Sequence, residues 1–291
     1  MYGHRGGDMP HTLEDVARLL EENLPSLSPT ASKVIQLANT INTPPAELTK
    51  VIKLDPVLSA KVLKLVNSSY FSLSNRIVSL EKAVILLGLN TIKNLALSAA
   101  VLAQMEAGQQ QTDFDSEAFW KHSLSVGVTA KLIAKKRGVE KKIVEDYFIS
   151  GLLHDLGVLA EFKVFPAEAQ RLMQAIESVD LFDAEEVILD GLTHCSIGHV
   201  LAQRWMLAEG LGNVLLQHHK PWDSGVPSEL VLTVYLANII SKKNSLGMVL
   251  GKPPNVDIRV FDTLGIPPSI EDDILNVIEE EITKATEFLN V

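Results

Sequence analysis

Helix-start signals recur along nearly the whole chain, and no stretch alternates apolar and polar residues over the length of a strand. That combination restricts the fold to packed helices. Thr12, followed three residues later by Asp15, predicts the start of a helix that reaches Glu22, and Leu24-Pro25-Ser26-Leu27-Ser28-Pro29 breaks it. Pro44-Pro45 and Asp55-Pro56 predict the starts of two more, because a first helical turn accepts proline, whose missing N–H is not needed there. Further helices are expected near 31–40, 79–87, 91–105, 117–137, 142–156, 166–178, 183–189, 194–206, 210–219, 228–243 and 270–289, with a polar turn from Asn67 to Asn75.

The polar run from Ala107 to Ser116, which contains Gln109-Gln110-Gln111, predicts a boundary short enough for the segments on either side to pack together. The expected organisation is a flexible tail at 1–10, an N-terminal helical lobe at 11–106, a second helical lobe at 117–245, and a C-terminal loop and helix at 246–291 packed on the second lobe. With 291 residues, 46% of them hydrophobic, each lobe can have its own core. The apolar stretches Leu95–Ala103 and Val231–Ile240 fall well short of the roughly 20 residues that a bilayer span needs, so they are expected to be buried helices and no membrane is expected as a partner. Cys195 is the single cysteine, which excludes an internal disulfide and makes the cytoplasm the expected location.

A net charge of -10 argues against non-specific binding of nucleic acid by the whole surface. Residues 50–104 run the other way, with seven Lys or Arg against two acids, a local charge of +5. Lys outnumbers Arg there and the aromatic residues are confined to Tyr70 and Phe71, so the segment reads as a solvated basic face or a dock for an acidic protein, in preference to a nucleic-acid adaptor.

Six of the eight histidines fall between His122 and His219. His122 shares a helix face with Phe119, Val126 and Ile133 and so points inward. His154 and Asp155 are expected to close a helix that Gly157 terminates, with Ser150 and Gly151 small enough to let a neighbouring backbone approach. His194 follows Thr193, a helix-capping residue, with Gly198 one turn on. His218 continues the apolar face of Leu211, Val214 and Leu215, and His219 lies beside it before Pro221. A lone inward histidine is usually a hydrogen-bonded core residue. Several imidazoles and a carboxylate buried without a cation would compete for few partners, at about 1–3 kcal/mol for each group left unsatisfied. His122, His154, Asp155, His194, His218 and His219 are therefore the candidate ligands of one or two divalent transition-metal ions, Fe, Mn or Zn, with the carboxylate able to bridge two. His4 and His11 fall in the tail region and are expected to be exposed. His199 sits about 140° round the helix from His194 and is given no role. Cys195 is expected to face away from His194 as a small buried hydrophobe.

In this order the motifs resemble a known family. His122, His154-Asp155 within Gly-Leu-Leu-His-Asp-Leu-Gly, His194 with Gly198, and His218-His219 resemble the ligand order of HD-domain phosphohydrolases, particularly the HD-GYP cyclic-dinucleotide phosphodiesterases. The first half is similar to HDOD, the HD-related output domain of bacteria: Leu24-Pro25-Ser26-Leu27, Asp55-Pro56-Val57-Leu58, Val66-Asn67-Ser68 and Ala83 to Gly88 resemble its successive signatures. The resemblance covers about Leu24 to Lys243. It implies an all-α fold, an HD-domain-like helical bundle preceded by an N-terminal helical lobe, and an output or regulatory role. Three departures bear on chemistry. Val158 stands where the HD-GYP pattern has a lysine that helps bind phosphate, Asn238 corresponds to the final metal-binding aspartate, and Lys220-Pro221-Trp222-Asp223-Ser224-Gly225-Val226-Pro227 is at best a remnant of the Gly-Tyr-Pro motif.

The expected function is a bacterial signalling module with an HD-type metal site, non-catalytic or barely catalytic, that acts on a signalling protein partner. The alternative is a metal-dependent phosphohydrolase whose ligand is a nucleotide or cyclic dinucleotide. Loss of the lysine and the last aspartate favours the first.

Overall fold

The computed structural model describes residues 12–24, 26–40, 42–71, 73–106, 114–176, 178–248 and 251–286. All regular structure among them is helical. In chain order the helices are α1 (Leu13–Asn23), α2 (Pro29–Asn39), α3 (Pro45–Lys53), α4 (Pro56–Val66), α5 (Leu80–Leu87), α6 (Leu89–Glu106), α7 (Ser116–Lys136), α8 (Val144–Leu153), α9 (Leu156–Val164), α10 (Pro166–Ala175), α11 (Leu181–Ile188), α12 (His194–Arg204), α13 (Glu209–Gln217), α14 (Glu229–Lys243), α15 (Arg259–Leu264) and α16 (Ile270–Ala285). A 3-10 turn, Ser69–Phe71, lies within the expected polar turn. The expected tail, His4, His11 and most of the expected boundary segment lie outside the described residues.

Local chemistry sets the helix starts. Thr12, Ser28, Asp55, Ser79, Asp115, Asp180, Thr193 and Ser228 each accept a hydrogen bond from a first-turn N–H that the helix itself cannot satisfy. The expected helix over 142–156 is α8, which ends at Leu153, and a further helix that was not expected, α9, follows directly after His154 and Asp155. Gly157 therefore does not terminate a helix. It lies in α9, where a Cβ would strike the backbone of His194 and Gly198, so glycine there lets α9 and α12 touch. Gly151 works similarly between α8 and α7, where a Cβ would come within 2.7 Å of Gly127 Cα. Gly151 thus admits a neighbouring backbone as expected.

Helices α2 to α6 pack on one another, and α7, α8, α9, α12, α13 and α14 form a second group. Helix α6 packs on α8, and one hydrophobic cluster runs through both groups. Helix α1 lies against α9 and α12 of the second group, and α16 spans α7 and the 3-10 turn. Polar bonds also tie the first half of the chain to the second group: Asn94 donates to Asp146 at 2.6 Å, and the Tyr70 hydroxyl donates to Glu145 at 3.4 Å, with the Lys131 ammonium over the Tyr70 ring. No helix among the described residues is long and apolar enough to cross a membrane.

Candidate metal centre

The second group of helices delivers all six predicted side chains to one region. His122 comes from the middle of α7, His154 and Asp155 from the turn between α8 and α9, His194 from the first residue of α12, and His218 and His219 from the end of α13. His122, His154, Asp155, His194 and His218 are each at most 4% exposed, and His219 is partly buried. Asp155 is the hub. Its Oδ2 lies 3.0 Å from His154 Nε2 and 3.9 Å from His122 Nε2, while its Oδ1 lies 3.1 Å from His218 Nε2 and 3.4 Å from His194 Nε2. Each carboxylate oxygen thus faces its own pair of imidazoles.

The hydrogens decide what this cluster can do. His154 Nδ1 is 2.8 Å from the Gly151 carbonyl, His218 Nδ1 is 3.0 Å from the Val214 carbonyl, and His194 Nδ1 is 2.8 Å from both Glu185 oxygens. A neutral imidazole has one N–H. These partners are acceptors, so they place it on Nδ1 and leave three Nε2 lone pairs confronting the Asp155 carboxylate. His154 Nε2, Asp155 Oδ1 and His122 Nδ1 accordingly have no hydrogen-bond partner although they are buried. Lone pairs this close to a carboxylate repel unless a cation lies among them. Neutral imidazoles whose far nitrogen is hydrogen-bonded, around a shared carboxylate, are a donor set suited to a borderline divalent ion. Asp155 with His122 and His154 makes one possible ligand group, and Asp155 with His194, His218 and His219 a second.

The electrostatics keep the donors available. Burial, then the neighbouring His154, pushes the His122 imidazole down to about 3, and Lys242 adds to the effect. Burial and Lys242 likewise hold His219 well below its ordinary value, and burial lowers His154. Burial alone would raise the Asp155 carboxyl, but His154, His218 and His194 together outweigh it and hold it well below the usual range. Burial alone would lower His194, but Cys195 and Asp155 outweigh it and raise its imidazole. Neutral imidazoles at His122, His154 and His219 beside an ionised carboxylate result.

Not every predicted residue plays an equal part. His219 Nδ1 lies 3.6 Å from Asp180, and its ring stacks on Phe182 with centroids 5.2 Å apart, so it sits at the edge of the cluster. His199 bonds to the Gly212 carbonyl and to Gln203, away from the centre. Cys195 is buried as expected, but it does not face away: its Sγ is 3.5 Å from His194 Nε2 and 3.9 Å from His218 Nδ1. The first turn of α12 packs against the end of α13, and this draws the thiol inward.

Two carboxyls were not anticipated. Glu161 and Glu185 are fully buried. Glu185 grips His194 twice, through the ring and through the backbone N–H at 2.9 Å. Burial pushes Glu185 up to about 8, and burial followed by the presence of Glu185 raises Glu161 well above its ordinary value. Both Glu161 oxygens lack a hydrogen-bond partner as acceptors, and a protonated Glu161 can donate to Glu185. The available signal was Glu161 itself, the one acid in the otherwise apolar run Leu156–Phe162.

The sequence profile of the HDOD domain matches residues 24–221. The chain belongs to the HDOD family. A protein from Treponema pallidum is 29% identical over 232 residues, which make up 77% of this HDOD chain and 44% of the relative, so the chain spans less than half of that relative's length. An HDOD domain protein from Geobacter sulfurreducens shares the fold with a TM-score of 0.74 at 25% identity, over 95% of this chain and 99% of its own. A candidate signal transduction protein from Marinobacter aquaeolei reaches a TM-score of 0.76 at 22% identity, over 97% of this chain and 62% of its own. The all-α architecture is that of HDOD proteins, with an HD-like bundle preceded by further helices.

Within this HDOD fold the departures from the hydrolase pattern have definite places. Val158 is fully buried in α9. Asn238, on α14, holds its Oδ1 3.1 Å from His122 Nε2, beside the first ligand group. Lys242, one turn further along α14, is a buried cation near the histidines, and Asp180 takes its ammonium at 3.0 Å.

Proposed function

We propose that this HDOD chain is a signalling or output module whose HD-type metal centre serves the fold, and that it acts through a protein partner and not by hydrolysis. The observation that carries this reading is the neutralised phosphate side of the centre. Phosphoryl chemistry needs positioned cationic groups that stabilise charge in the transition state. Here the lysine position is Val158, packed in the core, and Lys242 is already engaged by Asp180. A transition metal held by His122, His154, Asp155, His194, His218 and His219 would lower the pKa of a bound water and polarise a phosphoryl oxygen. The residues of this chain hold the donors and supply little to bind the substrate.

The test is turnover of cyclic dinucleotides and linear nucleotides by wild-type protein supplied with Mn or Fe, with His154→Ala as control. Loss of one electrostatic donor commonly costs about a hundredfold to a thousandfold in rate, so turnover near background is expected. The ligand cluster itself favours the second reading, a metal-dependent phosphohydrolase. Robust metal-dependent turnover that disappears in the control would establish it.

A further inference from the structure

Far from the histidines, α3 and α5 flank a groove of about 710 Å3 lined by Pro45, Ala46, Lys50, Lys53, Val84 and Ile85 among others. Its apolar character is not explained by the fold. In α5 only Leu80 and Ala83 are buried, whereas Ile85 is 81% exposed and Leu86 is also exposed. Leu54, at the other wall, is 72% exposed, and Val57 and Val78 are exposed nearby in the chain. A helix face turned to water is ordinarily polar. Clustered exposed apolar side chains with a polar rim mark interaction surfaces.

We propose that this groove binds an amphipathic helix of a partner protein that presents apolar side chains flanked by carboxylates. The assignment rests on the reading that the chain works through a protein partner, but on no feature of the metal centre. Shape and charge choose the occupant. A groove walled by two helices can hold a third laid along it, and the nine residues of α3 extend about 13 Å, enough for roughly two turns of a partner. At the groove Lys50 and Lys53 oppose one acid, Glu81, which pairs with Lys53. Lys50 and Lys82 are exposed, with no ion-pair partner among the described residues. The surrounding segment 50–104 carries +5 in a chain of -10. A second copy docking symmetrically would bring two positively charged rims together. A carboxylate-flanked helix meets opposite charge instead.

The test uses the full chain and two fluorescent helical peptides with the same leucine face, one flanked by Glu and the other by Lys. The Glu peptide should bind saturably, and the Lys peptide about tenfold more weakly or worse. Ile85→Asp should weaken the Glu peptide by about tenfold or more, since burying such a side chain accounts for at least that much affinity. Val187→Asp, at an 82% exposed position on α11, should leave binding unchanged. Absence of binding by the Glu peptide, equal binding of both peptides, or full binding by Ile85→Asp overturns the proposal. Self-association of the wild type that Ile85→Asp abolishes, without peptide binding, gives the groove to a second copy and overturns it as well. Phosphohydrolase turnover would defeat the non-catalytic reading without changing any of these peptide outcomes, so the two failures are distinguishable.

Discussion

Asn238 presents an amide oxygen to His122 where a carboxylate would bind a cation more strongly. Asn238→Asp should therefore raise metal retention in competition with a chelator, and unchanged loading would place residue 238 outside the centre. Asp155 has the opposite status, since both its oxygens face imidazoles. Either Asp155→Ala or His154→Ala should release metal and lower the thermal midpoint of protein purified without chelator. If fully metal-free wild type is as stable as the purified form, the structural role of the ion is wrong. Glu161 acts at one remove, through Glu185 and His194. Glu161→Gln keeps a donor for Glu185 and should hold metal nearly as well as wild type, whereas Glu161→Ala should lose about tenfold or more in affinity, as supporting residues of metal ligands typically do. Equal affinities in a chelator titration would remove Glu161 from the centre. The six candidate positions were legible from inward helix faces at His122 and His218, from helix ends at His154, Asp155 and His194, and from the adjacency of His219 to His218. Glu185 was not, because an acid in a short helix reads as solvated until the fold carries it under His194.

Helix α9 shows why element boundaries around the centre were harder to read than the centre itself. His154 keeps helical angles, φ -57° and ψ -34°, and Asp155 departs from them only at φ -100° and ψ 19°. A turn built from one changed residue requires neither glycine nor proline, so nothing marks the start of α9, and Gly157 reads as the end of one helix instead of the second residue of the next. The six-residue α15 is likewise too short to show a period. The proline-led start of α3 and the capped starts of α4 and α12 were legible from the residues at those starts alone. The contact between α9 and α12 makes a sharp prediction, because a Cβ at Gly157 would strike the His194 carbonyl and approach the Gly198 nitrogen to 2.9 Å. Gly157→Ala must separate the two helices, at a cost of about 1–3 kcal/mol, and shift His194 away from Asp155. Lowered thermal stability together with reduced metal content is expected. Gly212→Ala, inside α13, is the control, since nothing lies closer than 3.7 Å to its Cβ and it should lower neither. Loss of stability with normal metal content would show that the helix contact does not position His194.

Across the whole molecule, the continuous core and the bonds between α6 and α8 mean that the charge state of the centre bears on the stability of the entire chain. In metal-free protein the direction of that dependence follows from proton counts. His122, His154 and His219 are held below their ordinary 6.5, His122 down to about 3. Between those limits the unfolded chain binds protons that the folded chain refuses, so stability rises with pH up to about 6.5. Each fully displaced group contributes up to about 1.4 kcal/mol per pH unit within its window. Glu185, raised from 4.5 to about 8, works in reverse. The folded chain keeps its proton where the unfolded chain has released it, and that stability is lost as pH rises through 8. Below 6.5 the three imidazoles outweigh the two carboxyls Glu161 and Glu185, while above 6.5 the carboxyls act together with His194, which Cys195 and Asp155 raise against the opposing effect of burial. Thermal unfolding of chelator-treated protein across this range should therefore show a maximum near pH 6.5, with stability falling on both sides of it. A midpoint that climbs steadily on acidification from neutral pH would mean that the imidazoles are charged inside the fold, and the neutral donor set required for a metal would be lost with it.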